Sequence, residues 1–160
     1  MALQRTHIVV HHSATKDSGT VSWGAIERYH VETQGWRDIG YHAGVELVEG
    51  RYYAMLGRAE DQSAAATREA GMNQVGLHVC CVGDYDASPP RDEMLAVLVK
   101  RIIRPWMIRY NIAEDHIIGH RDAGLMEGHD WRRVNAAGTR EYKTCPGEMF
   151  DLDVLKQMTR

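Results

Sequence analysis

Val75-Gly76-Leu77-His78-Val79-Cys80-Cys81-Val82-Gly83 is a nearly continuous apolar run. A run this short, without polar alternation, suits a central β-strand covered on both faces. The flanking sequence supplies strands to lie beside it and helices to cover it. Toward the N-terminus, residues 39–48 read as one strand and residues 51–55 as its returning partner, joined by a tight turn at Glu49-Gly50. His7-Ile8-Val9-Val10 is a β-branched run that reads as a buried strand ending near His11-His12. Residues 13–19 form a polar loop, and Thr20 or Ser22 can cap a helix over residues 23–34. Trp23, Ile26 and His30 make the apolar stripe of that helix, and Gly35 ends it.

Toward the C-terminus, residues 84–90 form a loop. A long helix follows from about Asp92, with Leu95, Leu98, Ile102 and Trp106 at helical spacing; Pro105 should end or kink it. His116-Ile117-Ile118-Gly119 is a further short strand ending at His120, residues 121–142 are polar and irregular, and residues 150–158 can form a last helix. Residues 57–74 carry no clear period and read as a long loop with a helical turn around residues 62–66; loops of that length are often functional. This order predicts the α/β class, with a central mixed β-sheet flanked by helices on both faces. No internal repeat or linker divides the chain, so residues 1–160 read as a single domain.

The 160 residues are 44% hydrophobic and 26% charged, an ordinary globular balance, and length alone allows burial of about 70% of the unfolded surface. A formal net charge of −3 gives no basic excess, so no nucleic-acid partner is expected. No apolar run approaches the length of a membrane span, so no membrane insertion is expected. The first residues lack the features of a secretory signal; the expectation is cytoplasmic synthesis without a signal peptide. Three cysteines, two of them adjacent, imply no disulfide framework and a reducing compartment. Nine histidines justify a search for a metal site.

His11 and His120 each end a short buried strand and lead into a polar loop, the position where ligands and catalytic groups collect in α/β sheets. In Lys143-Thr144-Cys145-Pro146-Gly147, the proline biases Cys145 toward an extended conformation. Lys143 and Cys145 then face one common space and Thr144 turns away. If the two strands are neighbours, the imidazoles converge and the Cys145 thiolate completes a three-ligand set. Zinc matches those donors, keeping a fourth position for water. The competing reading is three unrelated buried polar side chains and a surface lysine near a buried thiol. Tyr41 and His42 are adjacent in a strand, so only one of them can face the site. His12 and His42 then read as hydrogen-bonded core or supporting residues, His30 and His78 as core, Cys80 and Cys81 as core thiols, and Asp122 and His129 as solvated loop residues.

Five motifs occur in order: His11-His12-Ser13-Ala14-Thr15; Tyr29-His30 with residues 35–42; Val75-Gly76 with Val82-Gly83-Asp84-Tyr85; Gly119-His120-Arg121-Asp122; and Lys143-Thr144-Cys145-Pro146-Gly147. Together they resemble the zinc-dependent type 2 N-acetylmuramoyl-L-alanine amidases, a class that includes small phage endolysins and shares its fold with peptidoglycan-recognition proteins. The resemblance covers roughly residues 6–155. It implies Zn2+ held by His11, His120 and Cys145, catalytic help from Tyr41 and Lys143, peptidoglycan as substrate, and hydrolysis of the amide between N-acetylmuramic acid and L-alanine. It further implies a monomer that reaches the cell wall after release by another factor. Some endolysins of the class also bind a phage polymerase, and nothing in these residues tests that role. The alternatives are a recognition module that binds peptidoglycan without cutting it and a cytoplasmic amidase recycling anhydro-muropeptides. Cys145 and Tyr41 together disfavour the first, and Cys145 the second. Two departures stand out. The loop over residues 63–73 lacks a histidine that many relatives carry, Ala66 or Thr67 standing near its place, and the segment between His120 and Cys145 is longer than in compact phage members.

Overall fold

A computed structural model describes residues 3–15 and 21–160. Residues 16–20, which hold the end of the expected polar loop and the Thr20 cap candidate, lie outside the described residues. Five strands form one sheet: β1 (His7–His12), β2 (Ala43–Val48), β3 (Arg51–Leu56), β4 (Gly76–Cys81) and β5 (Ile117–Gly119), in the spatial order β3-β2-β4-β1-β5. β4 pairs in parallel with both β1 and β2, β1 pairs in parallel with β5, and β2–β3 is an antiparallel hairpin. The apolar run is thus the middle strand, and every residue of β4 is buried. Glu49 (φ 49°) and Gly50 (φ 80°) both take positive φ at the hairpin turn, as a turn matched to the strand twist requires.

Strand alternation divides the core. Ile8, Val10, Val45, Leu77, Val79 and Cys81 pack on one side against Leu95, Leu98, Ile103 and Trp106 of the long helix and against Phe150 and Leu155. On the other side Val9 and Ile118 meet Met72 and Ala123, and Cys80 meets Trp23 and Ile39. Helices therefore cover both faces. Gly44 is required here, because a Cβ on it would stand 2.2 Å from the Trp23 ring.

Helix α1 (Trp23–Arg28) is capped by Ser22, whose hydroxyl accepts from the Ala25 N–H at 3.1 Å, and runs on as a π-helical turn over Tyr29–Thr33 before Gly35 (φ 70°) ends it. Short helix α2 (Met72–Val75) follows a 3-10 turn at Glu69–Gly71, so the helical turn expected at residues 62–66 lies further along the chain. Helices α3 (Asp92–Leu98) and α4 (Arg104–Tyr110) are joined by a π-helical turn at Val99–Ile103. Pro105 does not end the run. It falls in the first turn of α4, where a missing N–H is tolerated, directly after the π turn has offset the hydrogen-bond ladder.

Three further boundaries differ from expectation. Residues 39–42 are not part of β2. Their carbonyls pair with the long loop instead: the buried Arg58 guanidinium donates to Ile39 O, and the backbone N–H groups of Ala65, Arg58 and Gly57 donate to Gly40, Tyr41 and His42 O, while the His42 N–H alone still reaches β4, at His78 O. His120 opens helix α5 (His120–Met126) within the segment expected to be irregular, because Asp122 accepts the Gly119 N–H at 2.7 Å and starts the turn. The final helix α6 is Leu152–Met158, begun two residues later than Phe150 by the Asp151 cap.

Candidate metal centre

Parallel pairing sets His11 beside Cys80 and Val10 beside Gly119. His11 and His120 consequently emerge at the same edge of the sheet. The 143–147 loop is brought over this edge by two glycines and an arginine. A Cβ on Gly119 would lie 2.6 Å from Pro146, and one on Gly147 (φ 116°) would lie 2.5 Å from the Tyr85 backbone, so both positions allow close approach. The buried Arg121 donates from its guanidinium to the Thr144, Gly147 and Phe150 carbonyls, and its backbone N–H donates to Cys145 O at 2.8 Å. Trp131, from the long segment before the loop, stacks 4.6 Å over that guanidinium.

The ligating atoms of His11, His120 and Cys145 all lie within 4.8 Å of one another. Cys145 Sγ is 3.6 Å from His11 Nδ1, and the two imidazole rings are 5.0 Å apart. Tyr41 sits against His11 with ring centroids 5.2 Å apart. These four side chains, with Lys143, His30, Trp36 and Asp86, line a cleft of about 400 Å³. A smaller groove of about 290 Å³, walled by Ile26, Tyr29 and Val21, shares His30 and Tyr41 with it. The five residues singled out in sequence therefore come together. Thr144 turns its hydroxyl to the Asp86 carboxylate at 2.9 Å.

Burial keeps the three donor groups uncharged in the absence of an ion. Burial holds His11 well below the usual imidazole range, helped by neighbouring His78 and His120, and burial with nearby Lys143 takes His120 to about 4. Both rings are neutral near pH 7 and offer lone pairs. Burial pushes the Cys145 thiol up to about 12, against the opposing pull of the His12 backbone N–H and Lys143. A thiol so placed ionises at neutral pH only with a cation beside it. Two neutral imidazoles and one such thiol make a set able to hold a borderline-soft divalent ion such as zinc. Burial also drives Tyr41 well above its normal pKa, so its hydroxyl keeps its proton and can donate.

The other histidines sort by their hydrogen bonds. His42 points away from Tyr41: its Nε2 donates to Gln62 O and its Nδ1 accepts the His78 N–H, both at 2.9 Å. His12 accepts the Tyr85 N–H on Nδ1 at 3.2 Å. Both act as supporting residues. His30, expected in the core, instead reaches the cleft, where it packs on Trp36 and accepts the Gly40 N–H. Cys80 and Cys81 are fully buried. Asp122 caps α5, and exposed His129 stacks on Tyr142. Three neighbours of the His11, His120 and Cys145 group were not singled out from sequence as site residues. Glu69 Oε2 lies 3.4 Å from His120 Nε2, in contact without the alignment of a full hydrogen bond. Thr67 Oγ1 lies 3.4 Å and His78 Nδ1 2.9 Å from His11 Nε2. Thr67 is the residue near the missing loop histidine.

A family model described as N-acetylmuramoyl-L-alanine amidase matches residues 2–148, and the chain belongs to that family. The endolysin of Klebsiella phage KP32 is 28% identical over 127 residues, covering 79% of this chain and 76% of that protein. The endolysin of Escherichia phage T7 is 40% identical over 79 residues, covering 49% of this chain and 48% of that protein, so this match spans about half of each. Among solved structures, the N-acetylmuramoyl-L-alanine amidase LysC from Clostridium intestinale URNW superposes with a TM-score of 0.72 at 20% identity, covering 98% of this chain and 85% of that one. At that identity the likeness is one of fold.

Proposed function

We propose that the chain is a zinc-dependent peptidoglycan amidase of the endolysin type, hydrolysing the amide between the lactyl group of N-acetylmuramic acid and L-alanine, with residues 1–160 acting as one catalytic domain. The carrying observation is that three ligand atoms from β1, α5 and the 143–147 loop meet in a solvent-open cleft of a chain in the amidase family. Two neutral imidazoles and a thiol that needs a cation to ionise fit zinc. When bound, zinc supplies Lewis acidity and lowers the pKa of a water toward about 7.

The chain's own groups do the rest. Tyr41 keeps its phenolic proton and donates it as a hydrogen bond to the scissile carbonyl or the attacking water. Lys143, in the same cleft two residues before Cys145, places a cation where negative charge develops on the carbonyl oxygen. Trp36, His30 and the adjoining groove offer apolar walls for the substrate on either side of the reacting bond. No helix among the described residues is long and apolar enough to cross a membrane, and the proposed site of action is the wall, reached after release by another factor.

Digestion of purified cell walls tests this reading. New L-alanine amino termini without new reducing sugar ends are expected. New reducing ends in their place would sink the amidase assignment in favour of a glycosidase.

A further inference from the structure

His78 is fully buried in the middle strand, and both of its ring nitrogens are engaged. Its Nε2 lies 2.8 Å from the Met72 carbonyl oxygen. A carbonyl only accepts, so Nε2 bears the proton of the neutral ring and Nδ1 is a lone pair. That Nδ1 lies 2.9 Å from His11 Nε2, so His11 donates from Nε2. The His11 proton is thereby placed on the far side of the ring, and its Nδ1, 3.6 Å from Cys145 Sγ, presents a lone pair.

We propose that His78 is a positioning residue: by accepting from His11 Nε2 it fixes the tautomer and ring orientation that aim the His11 Nδ1 lone pair at the metal. This rests on the reading of His11 as a metal ligand. Partners of a ligand's second nitrogen commonly set tautomer and orientation in metal sites. Here the partner is a second imidazole whose own state is set by the main chain. Separately, the His78 backbone N–H donates to His42 Nδ1, and His42 Nε2 donates to Gln62 O, which holds the strand around the ring without setting its tautomer. The direction of the ring-to-ring relay traces to one carbonyl, that of Met72. Gly76 makes room for it, since a Cβ there would lie 2.8 Å from His78 Nε2. Thr67 Oγ1, at 3.4 Å from His11 Nε2, can donate or accept and so cannot select the tautomer.

The test uses the 15N-labelled full chain and two readouts other than activity: histidine side-chain nitrogen spectra before and after zinc removal, and zinc affinity by chelator competition. In the wild type without zinc, His11 should show a protonated Nε2 and a bare Nδ1; a protonated Nδ1 there overturns the proposal without any variant. His78→Phe should lose the single His11 tautomer and weaken zinc binding on the order of 10–100-fold. His78→Asn, which offers an amide oxygen near the Nδ1 position, should recover most of that loss. An unchanged His11 spectrum or unchanged affinity in His78→Phe overturns it, as does failure of His78→Asn to bind better than His78→Phe. His11→Ala separates the two ideas: if that variant still binds one zinc, the ligand reading itself fails, whatever the His78 variants do.

Discussion

His11 and His12 are neighbours in one strand, and each gathers two more groups of metal-ligand type: His120 and Cys145 around the first, Asp84 and Asp86 around the second, each set within 4.8 Å. By residue type and proximity the two clusters are equals. They differ in which nitrogen is free. The Nδ1 of His11 is bare because its Nε2 donates to His78, and it faces the Cys145 sulfur. The Nδ1 of His12 is consumed by the Tyr85 N–H, so its remaining nitrogen carries the proton and is a donor. The carboxylate of Asp86 is also committed, accepting from the Thr144 hydroxyl and the Glu148 N–H. The first cluster is the proposed metal site; the second braces the loop that delivers Cys145. Lone-pair direction, rather than composition, separates them.

The sharpest way to break that contrast is to delete a donor from each cluster. Cys145→Ala should lose zinc and activity together, by at least about 10³-fold in rate, since metal polarisation contributes several kcal/mol. Metal analysis alongside wall digestion checks it, and full activity in the variant would remove Cys145 from the ligand set. Next in size, Lys143→Ala should retain zinc yet lose on the order of 10²–10³ in rate, as removal of one oxyanion donor typically does. An unchanged rate would return Lys143 to being a surface lysine.

Acid sharpens the contrast through the imidazoles behind His11. Burial holds neutral His42 at about 4 and His78 at about 3, against about 6.5 in an unfolded chain. Below pH 6.5 the unfolded chain binds protons that the folded one refuses, so stability falls as pH falls. The His42 contribution, on the order of 3 kcal/mol, is fully present above pH 6.5 and is lost progressively down to about pH 4. The melting temperature of the zinc-free chain should drop over that window, with a shallower slope in His42→Asn. A flat profile would contradict the neutral burial of these two rings. The smallest effect is expected from Asp86→Ala, which should leave zinc content unchanged and lower stability by about 1 kcal/mol through the loop bonds it removes. Loss of zinc in that variant would make the second cluster part of the site after all.

Much of this was legible in the chain. The apolar run at residues 75–83 announced a doubly covered strand, the Glu49-Gly50 pair a hairpin, and strand ends at His11 and His120 a place for ligands, because burial and turn chemistry are local and periodic. Boundaries at residues 39–42 and at Pro105 were not legible. Arg58 draws the first stretch out of the sheet, and a π-helical turn admits the proline; both depend on distant or cooperative hydrogen bonds. His78 looked like a core histidine, and it is buried as expected. Its proposed role depends on strand order and register, which set it opposite Val9, two residues from His11 on the same face of the sheet, and on the Met72 carbonyl that fixes its proton.

The sequence by itself determined the chemical inventory: two strand-end histidines, a cysteine held beside a lysine, a tyrosine, and the strands and helices to carry them. Only the tertiary structure decided which of two adjacent histidines presents a lone pair. That choice is made by a carbonyl and a second imidazole far away in sequence, and a hydrogen bond's direction exists only once donor and acceptor have been brought together.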